Sequence, residues 1–448
     1  MNFRSANWVT LYHGTILAWA ALLPLQTRWI VRQGILAGGS WEYGTVSVYA
    51  TDILLLIALA INLLLRHKGV LRAPSTPAPL AGSIVVLAAI AFLSIFTAHD
   101  SGVALNAFVR LLVGILAWWL IVQSRVRLSA LALALVISAA AESILAFVQI
   151  LVQSIPASTL FGMAAHAPAV AGDSVVETVG GRFLRAYGTL PHPNMLAGWL
   201  AIGALMAMWL FFRIERRWHR VALLILGILI QAGLYCTFSR SAIVAWWVMF
   251  LAATILVAIR ARILRMQALI LLFAGIVLAG TFIRIAAPLV LTRVDAQGRL
   301  ETKSVTDRLA QFRDAESLFA KHWTLGVGLG NYTNTLRDEL DSSRVAAAYQ
   351  PVHFVLWLAA VELGLVGLLA LLWLCVTVAL MSYRSCRKMF RNHSEPVPWV
   401  YSGILALGII GWFGFFDHYP WSLPFGIIFT WLLLGFWQRS LSSQKLGE

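Results

Sequence analysis

The chain has 448 residues, 60% of them hydrophobic and 12% charged, about half the charged share of an ordinary globular domain (~25%). A soluble domain of this size has no interior large enough for so much apolar surface, and a disordered chain needs the opposite composition. The net charge of +15 is spread over short Lys/Arg runs between apolar stretches, with no basic domain, which excludes a nucleic-acid binder and leaves an all-α polytopic membrane protein.

Apolar runs of about 20 residues, the length that crosses a hydrocarbon core of roughly 30 Å, predict about twelve spans. They fall at 9–26, 45–65, 79–98, 102–123, 129–152, 193–212, 220–236, 241–259, 266–285, 353–380, 399–416 and 419–437. The first has only Arg4 ahead of it and no small-x-small cleavage site, so a retained helix is expected. Short basic loops follow spans 2, 4, 6, 8 and 10 (RHKGVLR, SRVR, RIERRWHR, RARILR, YRSCRKMFR), and Arg439 and Lys445 follow span 12. The positive-inside rule therefore predicts cytoplasmic N- and C-termini.

The whole of 1–448 is expected to form one integral membrane domain with two long outer segments, 153–192 and 286–352. The second holds SVTDRLAQFRDAESLFAKHW, an amphipathic helix with Leu309, Phe312, Ala315 and Phe319 on one side, stopped by GVGLGNY. Cys236, Cys375 and Cys386 form no C-x-x-C pair and suggest neither disulfide nor zinc.

Charged residues inside or at the ends of spans are costly unless paired, and so carry information. Asp52, Arg110 and Glu142 lie at similar depth in spans 2, 4 and 5, which predicts a mutual ion pair. Arg182 and Arg185 precede Gly188, Pro191, His192, Pro193 and Asn194, a rigid entry to span 6 with Asn194 near the N-cap. Either arginine is a candidate to bind an anionic group. Arg240 occupies a tight outer turn between spans 7 and 8, against the inside bias. A guanidinium there offers a planar fork of donors to phosphate. Arg308 falls on the apolar side of the amphipathic helix, where a solvated role does not fit.

His353 opens span 10, followed by Glu362, which faces away from it, and by Gly364 and Gly367, which would let a neighbouring helix approach. The acidic residues Asp338, Glu339 and Asp341 read as a solvated loop face. GVGLGNY lacks the Lys-Ser/Thr of a P-loop, no HExxH spacing occurs, and no metal ligands or cofactor are expected.

Taken in order, GTLPHPNMLAG, TFSRSA, DRLAQF…GVGLGNY and H-x10-G-x-x-G resemble the O-antigen ligase and O-antigen polymerase superfamily (Wzy_C). The resemblance covers most of the chain from about residue 140. It implies a GT-C type fold with a helical periplasmic loop, in the bacterial inner membrane. It implies metal-independent transfer of a glycan from an undecaprenyl-diphosphate donor to a hydroxyl at the periplasmic face. Arg240 and Arg308 then match the family's essential arginines and His353 its essential histidine. Phe354 departs from the Asn, Ser or Gln usual after that histidine in ligases. Lipid A-core (ligase) and a growing glycan (polymerase) both stand as acceptors.

The residues fit such chemistry. Arginines at a low-dielectric boundary stabilise a leaving diphosphate, and a histidine can take the acceptor's proton. Arg185 and Arg182 are weaker candidates for the diphosphate. A protein O-oligosaccharyltransferase would share this mechanism. A lipid-linked glycan transporter or flippase would instead line a midplane cavity with charge and often show a repeat. The sequence shows no repeat, and its unusual arginines gather at one face.

Overall fold

The computed structural model describes residues 3–71, 76–295, 299–392 and 397–442. Arg72 of the first basic loop and Lys445 of the tail lie outside them. The chain opens with α1 (Phe3–Leu22), then β1 (Arg28–Arg32), β2 (Ile35–Leu36), β3 (Gly39–Ser40) and β4 (Val46–Tyr49). Next come α2 (Ala50–His67), α3 (Ala78–Thr97), α4 (Ser101–Gln123) and α5 (Leu128–Val152). The hairpin of β5 (Val175–Thr178) and β6 (Gly181–Leu184) leads into α6 (Pro193–Arg213), α7 (Arg217–Cys236), α8 (Arg240–Arg260) and α9 (Arg265–Ile285). The long segment after α9 folds as α10 (Ala287–Asp295), α11 (Arg299–His322) and α12 (Tyr332–Glu339). The chain ends with α13 (Val355–Asn392), α14 (Trp399–Phe416), the single turn α15 (Tyr419–Ser422) and α16 (Pro424–Ser442).

The protein is a multi-pass membrane protein of all-α type. Among the described residues, ten helices are long and apolar enough to cross a membrane: α2 to α9, α13 and α14. α1 and α16 occupy the first and last expected spans. The last span begins at Pro424 rather than 419, because Tyr419–Ser422 folds into its own turn. The strands form three two-stranded antiparallel sheets, β1 with β4, β2 with β3 and β5 with β6. Residues 23–49 are thus a third folded connection, beside 153–192 and the described part of 286–352. Strands of two to five residues are too short to leave an alternating pattern.

These connections meet at one end of the bundle. Trp41 Nε1 donates to Thr333 Oγ1 at 2.9 Å, His99 N donates to the Val327 carbonyl at 2.9 Å, and Thr27 bonds to the Leu160 carbonyl.

α6 is the central helix. It is apolar all round, and its membrane window is wholly buried among its neighbours, as a helix without a polar face must be. Small residues permit this: a Cβ at Gly203 would run into Ala139 of α5, and one at Gly198 into the Tyr419 hydroxyl. In lipid such contacts stabilise through close packing rather than through exclusion of water.

α13 is broken at Gly364, which has φ 66° and ψ −170°. The loop after α11 docks into the break. Leu365 N donates to the Trp323 carbonyl at 2.7 Å, and the Val361 and Glu362 carbonyls accept from Val327 N and Gly328 N, both at 2.9 Å. Backbone groups released by the break are thus satisfied by the loop, as burial requires. A Cβ at Gly364 would strike the Thr324 carbonyl, and Gly367 faces Leu363 of its own helix. Gly364 and Gly367 therefore do not admit a neighbouring helix; Gly364 admits a loop.

The deep charges divide. Asp52 and Arg110 pair at 2.6 Å, and Arg110 also bonds to the Ser47 carbonyl. Removing one partner of such a buried pair costs about 3–5 kcal/mol. Glu142 is not part of it. Glu142 accepts from Thr189 N at 2.9 Å and Thr189 Oγ1 at 2.7 Å, bracing the turn that enters α6.

Candidate active site

The N-terminus of α6 lies at the centre of the ordered end. Its N-cap is His192, whose Nδ1 accepts from Asn194 N at 3.1 Å. Asn194, the second residue of α6, is thereby free to reach sideways with its side chain. Its Nδ2 donates to Asp417 Oδ2 at 2.8 Å and its Oδ1 accepts from an Arg185 amine at 2.9 Å. Arg185 also donates from Nε to the Thr237 carbonyl at 2.7 Å, in the turn that carries Arg240. That turn is tied down from outside, since Arg240 donates to the Arg293 carbonyl and Arg293 to the Phe238 carbonyl, at 2.9 and 3.1 Å. Arg182 lies three residues before Arg185, a spacing that alternates sides on an extended chain. It donates to the Val170 carbonyl at 3.2 Å, so only Arg185 enters the cluster.

Asp417 ends α14, and its Oδ1 accepts from the His418 and Tyr419 amides at 2.8 and 3.3 Å. His418 and His353 meet edge to face, their ring centroids 4.9 Å apart. His353 Nδ1 lies 2.8 Å from Gln311 Oε1. The tautomer that satisfies this contact carries its proton on Nδ1, given to the amide oxygen, and leaves the Nε2 lone pair for another partner. His418 is held alike. Its Nδ1 is 2.7 Å from Ser422 Oγ, which gives its own hydrogen to the His418 carbonyl at 3.0 Å. Tyr43 of the first connection brings its hydroxyl to 3.5 Å from His418 Nε2.

Gln311 lies one turn after Arg308, on the same side of α11. Arg308 is half-buried, and its charge acts on His353. Ala315 and Leu318 of α11 are fully buried, Phe312 packs on Phe354 and Phe319 on Trp357. Leu309 is 57% exposed, as are most residues of the first turns of α11. The packed side therefore starts at Phe312, not Leu309.

Desolvation lowers the pKa of His418 to about 3, with the neighbouring His353 adding to the effect. It lowers His192 to about 3, helped by Arg185. His353 is lowered by desolvation and by Arg308, against the opposing charge of Asp417. For Asp417, burial works to raise the pKa, but His418, His353, His192 and the Asn194 amide outweigh it and hold it at about 2. The surroundings thus favour an ionised Asp417 and the neutral form of the imidazoles.

One ligand-type atom from each of His353, Asp417 and His418 lies within 4.8 Å of the others. No spacing in the sequence announces this group, because His353 lies just before α13 and Asp417 just after α14. Asp417, His418, Gln311 and Tyr43 carry no motif of their own in the sequence. The available signal was an Asp-His pair, followed by Pro420, wedged between two apolar spans.

Beside the cluster is a cavity of about 670 Å³. Glu42, Tyr43, Asn106 and Thr333 line its polar part, Phe354, Trp421 and Ser422 adjoin the histidines, and Leu371, Val378, Leu407, Ile427 and Leu434 line its apolar part. Trp421 Nε1 donates to Glu362 at 2.8 Å, fixing α15 over the cavity wall.

The family model described as O-antigen ligase, Wzy_C, matches residues 228–372. The matched segment runs from within α7 to within α13 and includes Arg240, Arg308 and His353; the family is the one that the motifs resemble. None of the curated proteins compared with the chain matches it.

Proposed function

We propose that the protein is a GT-C type, metal-independent glycosyltransferase of the bacterial inner membrane, with both termini cytoplasmic and the site facing the periplasm. It moves a glycan from an undecaprenyl-diphosphate donor to a hydroxyl acceptor. Residues 1–448 act as one membrane domain, with 153–192 and 286–352 as its long periplasmic segments. The observation that carries this reading is the 2.8 Å contact of His353 Nδ1 with Gln311 Oε1, which orients the ring and in the Nδ1–H tautomer leaves the Nε2 lone pair for the acceptor's proton, inside the segment matched by the O-antigen ligase model.

The acceptor O–H gives its proton to His353 Nε2 as its oxygen bonds to the anomeric carbon. The bond from that carbon to the diphosphate oxygen breaks, and the electron pair leaves with the diphosphate. General-base help of this kind is worth about 10²–10⁴-fold. Arg240 and Arg308 hold the diphosphate and meet the charge that develops on it. Arg185 steadies the turn before Arg240, and Arg182 has the least part. Asp417 lies beside His353 and favours the imidazolium formed by the proton transfer. The apolar part of the cavity takes the hydrocarbon tail of a lipid substrate, as expected of a mostly apolar site with a few polar groups.

Incubating the purified protein with a lipid-linked oligosaccharide, with and without lipid A-core, tests this. Transfer to core identifies a ligase, and a ladder on the glycan identifies a polymerase. No glycan transfer with either acceptor contradicts the proposal.

A further inference from the structure

We propose that His353, Asp417 and His418 form a site for one divalent transition-metal ion of the zinc class, which competes with substrate chemistry at His353. The ligand atoms already lie within 4.8 Å of one another. Zinc bonds of about 2.0–2.2 Å place tetrahedral ligands roughly 3.4 Å apart, so small side-chain rotations close the set. Two imidazoles and a carboxylate suit a borderline ion such as Zn²⁺ better than Mg²⁺, which prefers oxygen ligands in an octahedron.

The hydrogen bonds around the group favour this reading over a plain polar cluster. Both histidines give Nδ1–H to an outer partner, His353 to Gln311 and His418 to Ser422. Such partners fix the tautomer of a ligating histidine and turn Nε2 toward the metal; at His418 the ion displaces only the long 3.5 Å contact of Nε2 with the Tyr43 hydroxyl. Asp417 Oδ1 already accepts two amides, but Oδ2 accepts only Asn194 among the described residues, so a lone pair remains there. His192 is excluded, because its Nδ1 accepts from Asn194 and its Nε2 faces Ser174 Oγ at 3.1 Å. Three protein ligands leave a fourth position for water or a substrate hydroxyl.

The competition rests on the reading of His353 as base, since an ion on Nε2 occupies the lone pair that would take the proton. Binding itself does not rest on it. The test uses tag-free protein in detergent, stripped with EDTA, exchanged into chelator-free buffer and titrated with ZnCl₂ by calorimetry. One saturable equivalent is expected. It should be lost in His418→Ala and weakened about 10–100-fold in Gln311→Ala, which touches only the outer partner. If His418→Ala does not keep the wild-type size-exclusion profile, Gln311→Ala and His418→Gln carry the comparison.

Wild-type protein that binds no saturable zinc, or variants that bind it as tightly as wild type, overturns the site. In the transfer assay, zinc should inhibit over the range in which the site fills, and EDTA should reverse it. Stoichiometric zinc with undiminished or increased transfer overturns the competition and counts against His353 as base. Absence of zinc binding with transfer still abolished by His353→Ala defeats this inference alone.

Discussion

Asn194 and Asp417, 223 positions apart in sequence, meet through a 2.8 Å hydrogen bond. The same amide accepts from Arg185 at 2.9 Å. Asn194 thereby joins the start of the central helix, the end of α14 and the turn before α8. Asn194→Ala removes one partner from each of two buried groups, at about 1–3 kcal/mol for each. Thermal unfolding in detergent should shift down by several degrees and transfer should fall, while Asn194→Asp, which sets a second carboxylate against Asp417, should do worse. Equal stability and activity in all three proteins would remove Asn194 from the account.

Gly364 provides a backbone test. Gly→Ala inside a helix usually stabilises by roughly 0.5–1 kcal/mol. At Gly364 the φ of 66° and the Thr324 carbonyl should reverse the sign. Gly280 of α9 has open space where a Cβ would stand and serves as the control. Gly364→Ala should lower the melting temperature and displace the loop from α13, whereas Gly280→Ala should be neutral or stabilising. The same sign at both positions would show that the break does not depend on glycine.

Much of this fold was legible in the sequence. Spans announce themselves by length and apolarity, so the starts of α6, α8 and α14 fall within a residue or so of the expected boundaries. Arg240, Arg308 and His353 stood out because each is a polar residue where the local pattern asks for something else. Asp417 and His418 break the pattern too, but their meaning comes from His353, Asn194 and Gln311, which lie far from them in the chain. Tyr43 reaches the site from strands too short to leave a periodic signal. The break at Gly364 was hidden because the apolar run passes through it, and only the docked loop reveals why the helix opens.

The proposed orientation is open to direct labelling. Ser342 lies exposed after α12, in the long segment expected outside. In a cysteine-free background, Ser342→Cys should react with a membrane-impermeant maleimide from the periplasmic side of the inner membrane. Labelling that appears only once the inner membrane is permeabilised would invert the topology.

Arg240 and Arg308 should fail as lysines. Lysine keeps the charge but loses the planar fork that grips two phosphate oxygens. Arg240→Lys and Arg308→Lys should each cut transfer at least ~10-fold and weaken donor binding, with an unchanged size-exclusion profile. Lysine variants with wild-type turnover would reduce both arginines to structural or surface roles.

The central claim is that His353 takes the proton. The decisive measurement compares His353→Ala with wild type in two assays, binding of the undecaprenyl-diphosphate-linked glycan and its transfer. The account predicts a folded variant that binds donor normally and transfers it about 10²–10⁴-fold more slowly. A folded His353→Ala protein that transfers glycan at close to the wild-type rate would contradict it.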